Sequence, residues 1–251
     1  MTLEIAIVPC LTDNYAYLVK TGDACAVVDP SEPGPVKAAL ESRGWRLTHI
    51  LNTHHHLDHT GGNMALKDAF GAMVVGPKKD AGRIPGIDVG VEEQEGWEFA
   101  GAPVQILEVP AHTRGAITFV MEGNAFTGDT LFAMGCGRLF EGDPAMMWAS
   151  LSKLMTLPDA TKIYCGHEYT ENNGRFALTL EPGNKALAAR MNEVRAARAK
   201  GETSMPSNMG LERATNPFLR VDSAEIRKTL GMEKAGDVAV FGEIRRRKDS
   251  F

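Results

Sequence analysis

The sequence predicts an α+β protein in which sheets are covered by helices and a small helical domain follows toward the C-terminus. Three observations carry that expectation. Short runs of β-forming residues fill the first two thirds of the 251-residue chain. Gly or Pro interrupts nearly all of them. After residue 170 the strand signals fade while helical patterns continue.

In chain order the strand-like runs are Leu3 to Val8, Tyr15 to Val19, Ala24 to Val28, Leu47 to Leu51, Ala72 to Val75, Val104 to Val109, Ala116 to Met121 and Lys162 to Cys165. Helical patterns fall between some of them, at Pro35 to Arg43, Asn63 to Phe70 and Ala145 to Met155. Farther on, Asn184 to Lys200 and Ala224 to Leu230 are rich in Ala, Leu, Arg and Glu and read as helices. A boundary near Glu171 therefore divides the chain into residues 1–170 and 171–251. Charge divides the same way. The first part carries 12 basic and 21 acidic side chains, a net −9, and the second 15 and 11, a net +4. A basic appendage beside an acidic body suits an anionic ligand, whereas the acidic body is a poor match for nucleic acid.

With 43% hydrophobic residues, the composition is ordinary for a globular protein. No apolar run approaches the ~20 residues needed to span a bilayer. Met1-Thr2-Leu3-Glu4-Ile5 lacks the basic and apolar regions of a signal peptide, so a cytoplasmic monomer with no membrane partner is expected. Cys10, Cys25, Cys136 and Cys165 show no paired spacing and are expected to be reduced.

The chemistry concentrates in Thr53-His54-His55-His56-Leu57-Asp58-His59, which ends an apolar segment. In an extended chain alternate side chains share a face, so His54, His56 and Asp58 are expected to point together, with His55 and Leu57 turned away. His59 follows where Thr60-Gly61-Gly62 redirects the chain. Elsewhere one arrangement recurs, an apolar strand followed by a ligand-type residue in a Gly- or Pro-marked loop: His112, Asp129 and His167. Ligands at successive strand ends converge on one sheet edge. Five imidazoles and two carboxylates exceed what one four-coordinate zinc requires and divide between two ions, with Asp129 as the candidate bridge. His49 and His55 are assigned structural roles.

The pattern His54-x-His56-x-Asp58-His59, followed by His112, Asp129 and His167, resembles the metallo-β-lactamase superfamily over roughly the first 170 residues. The resemblance implies a four-layer αββα fold with a dinuclear site at one edge. It assigns His54, His56 and His112 to one ion, Asp58, His59 and His167 to the other, and Asp129 to both. Asp29 resembles the superfamily's early supporting aspartate, and its alternative is a turn former before Pro30.

Narrower signals resemble the glyoxalase II (hydroxyacylglutathione hydrolase) family. They are Thr127-Gly128-Asp129-Thr130-Leu131-Phe132, Gly135-Cys136-Gly137-Arg138, Cys165-Gly166-His167-Glu168-Tyr169-Thr170, Pro206-Ser207 to Glu212, Asn216-Pro217-Phe218-Leu219-Arg220 and the tail Arg245 to Phe251. The resemblance implies hydrolysis of S-D-lactoylglutathione and related 2-hydroxyacyl thioesters by a hydroxide held between two divalent ions, zinc foremost, with iron or manganese as alternatives. This is the second step of methylglyoxal detoxification. It also implies glutathione contacts from Arg138, Tyr169, Arg245 and Lys248. Asp58 would orient the nucleophile. Phe140 stands where many members carry a tyrosine that contacts glutathione. A thiol of pKa ~8.5 leaves as thiolate, so the lack of an additional general acid suits a thioester. The alternatives are a one-iron persulfide dioxygenase or another metal-dependent hydrolase of this fold.

Overall fold

The computed structural model describes residues 3–251; Met1 and Thr2, assigned above to the first domain, lie outside them. Sheet one holds β1 (Glu4–Cys10), β2 (Asn14–Thr21), β3 (Ala24–Val28), β4 (His49–Leu51), β5 (Met73–Pro77) and β6 (Val89–Val91), in that spatial order. Its first three strands are antiparallel and β3 to β6 run parallel. Sheet two is built from β7 (Trp97–Phe99), β8 (Ala102–Glu108), β9 (Ile117–Met121), β10 (Asn124–Gly128), β13 (Lys162–Cys165) and β14 (Ser207–Asn208), while β11 (Leu131–Phe132) and β12 (Gly135–Cys136) form a separate hairpin. β10 and β13 are parallel, so β8, β10 and β13 all end on the same edge.

Alternation along the strands explains the layers. In β3, Ala26 and Val28 join Tyr17, Leu51, Phe119, Phe126 and Tyr164 between the two sheets. Cys25 and Val27 face the other way, against Val36, Leu40 and Leu66 of α1 (Pro33–Arg43) and α3 (Asn63–Phe70). The short α2 (Leu57–Thr60) precedes α3. On the far side of sheet two, Leu107, Ala125 and Ile163 pack against Met147, Leu151 and Leu154 of α4 (Pro144–Leu154). The order is helix, sheet, sheet, helix.

The remaining helices are α5 (Thr170–Leu180), α6 (Lys185–Ala199), α7 (Met209–Thr215), α8 (Ala224–Leu230) and α9 (Asp237–Asp249). Side-chain caps start several of them: Asp143 accepts from Met146 N at α4 and Asn184 from Leu187 N at α6. Phe176, Phe218, Phe241 and Ile244 continue the α4 layer, so the C-terminal helices share its core. Sequence periodicity did not reveal α5, α7 and α9, whose apolar faces are interrupted by Asn, Glu and Arg with buried partners. Nor did it reveal β14, two residues that extend sheet two from within the helical region.

Candidate metal centre

Every predicted ligand lies at the common sheet edge. His54 and His56 follow β4, Asp58 and His59 lie in α2, and His112, Asp129 and His167 follow β8, β10 and β13. Their atoms form two groups, and a third close set joins His54 and His59 to Asp29. In His54, His56 and His112, and again in Asp58, His59 and His167, the ligand atoms lie within 4.8 Å of one another.

Asp129 stands between the groups. Its Oδ2 is 3.5 Å from His112 Nε2 and 3.3 Å from His167 Nε2, and its Oδ1 is 3.3 Å from His59 Nε2. One expectation fails here. Asp58 does not share a face with His54 and His56, because the chain leaves the extended conformation after His56 and α2 begins at Leu57. Helical rotation carries Asp58 Oδ2 to 3.4 Å from His167 Nε2 and 3.6 Å from His59 Nε2. Asn14 anchors it there by donating to its carboxylate at 3.2 Å.

Acceptors behind the imidazoles set their tautomers. Nδ1 of His54 meets Thr53 Oγ1 at 3.0 Å, that of His59 meets Asp29 at 3.1 Å, that of His112 meets the Arg138 carbonyl at 2.9 Å, and that of His167 meets Asp13 at 2.9 Å. Each arrangement leaves Nε2 with a lone pair facing inward. Asp29 is buried, with φ of 50°, and also accepts from Thr53 N at 2.8 Å and Thr53 Oγ1 at 2.7 Å. Three contacts thus tie its carboxylate to Thr53 and His59, so it supports a ligand from the bend that follows β3. His55 pairs with buried Asp80 at 3.0 Å and belongs to neither group.

The residues fit bound cations. Among the described residues His54 Nε2 is buried with no hydrogen-bond partner, and His59 Nε2 and Asp129 Oδ1, 3.3 Å apart as an ion pair, complete no hydrogen bond either; such groups are costly unless a ligand satisfies them. A nitrogen and carboxylate set of this kind suits divalent metals.

Electrostatics within the cluster oppose one another. Burial, together with neighbouring imidazoles, lowers the pKa of His54 and brings His56 down to about 4, and burial lowers His112. Burial acts the same way on His59 and His167, but nearby carboxylates outweigh it. Asp129 and Asp29 raise His59 well above its ordinary value, and Asp129 and Asp58 raise His167 to about 10. A folded pKa above the unfolded ~6.5 contributes stability that is full below that pH and lost as pH rises toward the folded value. Chelator-treated protein should therefore lose thermal stability between about pH 6.5 and 8. Added divalent cation should reverse the loss, because metal binding displaces those protons and strengthens with pH. A chelated protein whose melting temperature rises across that window would contradict this assignment.

One cavity of about 480 Å³ joins the cluster to the C-terminal region, and Arg138, Phe140, Tyr169, Arg245 and Lys248 all border it. The Tyr169 ring stacks on His167 with centroids 4.7 Å apart, while exposed Phe140 stands 5.1 Å from the His112 ring. Burial, then Arg245, Arg175 and Arg138, brings the Lys248 amine down to about 8. Arg245 is placed differently from a free cation. It is buried, donates from Nη1 to the Cys136 carbonyl at 2.8 Å and pairs through Nη2 with Asp249 at 3.0 Å. Asp13, Asn173 and Asp249 were not singled out in the sequence. Only Asp249, four residues after Arg245 on one helix, carried a local signal.

A profile described as the metallo-β-lactamase superfamily matches residues 11–167, and one described as the hydroxyacylglutathione hydrolase C-terminus matches 168–251. The chain is 53% identical over 253 residues to the hydroxyacylglutathione hydrolase of Methylococcus capsulatus, covering 99% of each chain. With that of Rhizobium meliloti it shares 51% over 253 residues, again covering 99% of each. Among solved structures it resembles TTHA1623 in a di-iron-bound form, with a TM-score of 0.60, 27% identity, and coverage of 86% of this chain and 100% of that one.

Proposed function

The chain belongs to the hydroxyacylglutathione hydrolase family of the metallo-β-lactamase superfamily, and from that membership we propose that it hydrolyses S-D-lactoylglutathione and related 2-hydroxyacyl glutathione thioesters. The observation that carries the reading is the single cavity bounded by the ligand cluster at one end and by cationic side chains at the other. Glutathione matches that polarity, since its carboxylates suit the basic end while its thioester reaches the ligands.

Divalent cations bound by His54, His56 and His112 and by Asp58, His59 and His167, with Asp129 common to both, would supply Lewis-acid activation of water and of the thioester carbonyl. Zinc is the first choice, and two ions match the two ligand groups and the di-iron form of TTHA1623. Two ligand groups meeting at Asp129 disfavour the one-iron alternative. The chain's own residues bind and orient the substrate. Arg138 and Lys248 attract its carboxylates, and a carboxylate beside Lys248 would raise that amine's pKa again. Backbone groups at Cys136 and Gly137 meet the peptide amides, and Tyr169 closes the wall over His167. Asp58, with a half-exposed side chain, accepts a hydrogen bond from the attacking water and orients it. The thiolate leaves without needing a proton.

We assign substrate binding to residues 171–251 together with the loop around Arg138, and chemistry to residues 1–170. Among the described residues no helix is long and apolar enough to cross a membrane; a monomer acting in the cytoplasm is part of the proposal. The test is steady-state hydrolysis of S-D-lactoylglutathione by metal-quantified protein, against a lactoyl thioester of N-acetylcysteamine. Strong preference for the glutathione substrate is expected. Equal cleavage of both would remove the glutathione role, and no cleavage with both ions bound would refute the thioesterase reading.

A further inference from the structure

The C-terminal region does more than line the cavity, because it holds the backbone of the hairpin between Asp129 and Arg138. Asn216 Nδ2 donates to the carbonyls of Phe132 at 3.1 Å and Gly135 at 3.0 Å, and Asn173 Nδ2 donates to that of Ala133 at 3.1 Å. Glu212 Oε2 accepts from Met134 N at 2.8 Å, and Arg245 reaches the Cys136 carbonyl. Five consecutive residues are thus held by four side chains from beyond residue 170. At their centre Met134 has a φ of 54°. A left-handed conformation in a residue other than glycine persists only where its surroundings over-determine it.

Glu212 is completely buried, and its second oxygen accepts from Arg190 Nη2 at 2.6 Å and from Ser207 Oγ. Removing two charges from water is expensive, and an apolar pair would often serve stability as well. A carboxylate serves something an apolar side chain cannot, since it satisfies the Met134 N–H and the Arg190 guanidinium at once.

We infer that Glu212 is a positioning residue for glutathione recognition. Through Met134 it sets the hairpin, and through the hairpin it places the Cys136 and Gly137 backbone and Arg138. The inference rests on the glutathione reading above.

Glu212→Gln tests it with little change in shape. Both carboxylate oxygens face donors, so the amide nitrogen must oppose one of them. Thr215→Val is the control. Thr215 Oγ1 accepts from Arg190 Nη1 at 2.6 Å and donates to the Leu211 carbonyl at 2.6 Å, so its hydroxyl serves Arg190 and α7. For Glu212→Gln the KM for S-D-lactoylglutathione should rise about tenfold. Its kcat, its metal content and its kcat/KM for the N-acetylcysteamine thioester should stay within about threefold of wild type. Thr215→Val should lower the melting temperature without moving KM.

An unchanged KM in Glu212→Gln, or an equal rise in both variants, overturns the inference while leaving the functional reading intact. A wild type with no preference for glutathione overturns both. Should Glu212→Gln not fold, hydrogen exchange in the wild type decides. The Met134 amide should exchange with the same denaturant dependence as those of α7, and exchange more than about tenfold faster would overturn the inference.

Discussion

Asp129→Ala is expected to lower turnover by about 10³-fold or more and to leave the protein with fewer than two bound ions. Among the described residues Asp129 is the side chain whose carboxylate lies within 3.5 Å of imidazoles from both ligand groups. Asp58 serves one group, and Asp29, although close to both His54 and His59, already accepts from Thr53 N and Thr53 Oγ1 and meets His59 Nδ1. Lewis-acid activation contributes several kcal/mol to such reactions, and ~4 kcal/mol corresponds to about 10³-fold in rate. The substitution also removes a carboxylate that raises the His59 and His167 pKa values, so the fold should survive as those rings lose their protons. Metal analysis gives one readout. NMR titration of the chelated protein gives another, in which His167 should titrate lower than in the wild type, because the Asp129 carboxylate that raises it is gone. Wild-type ion content together with wild-type turnover would remove Asp129 from the site.

Gly166→Ala should cost about 10²-fold in activity even though it adds a single methyl group. A Cβ at Gly166 would collide with Asp129 Oδ1 and stand 2.5 Å from His59 Cε1, two groups assigned as ligands. The backbone has little room to retreat. Gly166 N donates to Gly128 O at 2.9 Å, and Gly166 O accepts from Tyr15 N at 2.8 Å, so strands on both sides hold it. The ligands must therefore move, and a misplacement of ~1 Å in a reacting assembly is worth about 10²-fold. Overpacking should also lower stability by ~1–3 kcal/mol. Kinetics and metal content read together would decide the matter. Full activity in this variant would mean that the cluster tolerates a geometry far from the one described.

The ligands were legible in the sequence because each follows a short apolar run, and a strand's period is written in adjacent residues. His112, Asp129 and His167 could be found from where their strands end. Asp58 shows the limit of that reasoning. Strand period alone placed it with His54 and His56, whereas the resemblance placed it with His59 and His167, where a turn of α2 carries it; four residues are too few to show a helical period. The same limit applied to α5, α7 and α9, whose buried Asn173, Glu212 and Arg245 look like surface residues until their partners are known.

By itself the sequence determined the layered α+β architecture, the set of ligand-type residues and the basic character of the C-terminal region, all of which depend on residue type and local spacing. Tertiary structure alone decided that Asp58 leaves the face of His54 and His56, that Asp13 orients His167, and that Arg245 reaches the Cys136 carbonyl and Asp249 while bordering the cavity. It also decided that Glu212 grips Met134 across 78 positions of chain. The physical reason is range. Periodicity acts over two to four residues, whereas a buried polar group takes whichever partner the packed layers bring to it, and no local pattern records that choice.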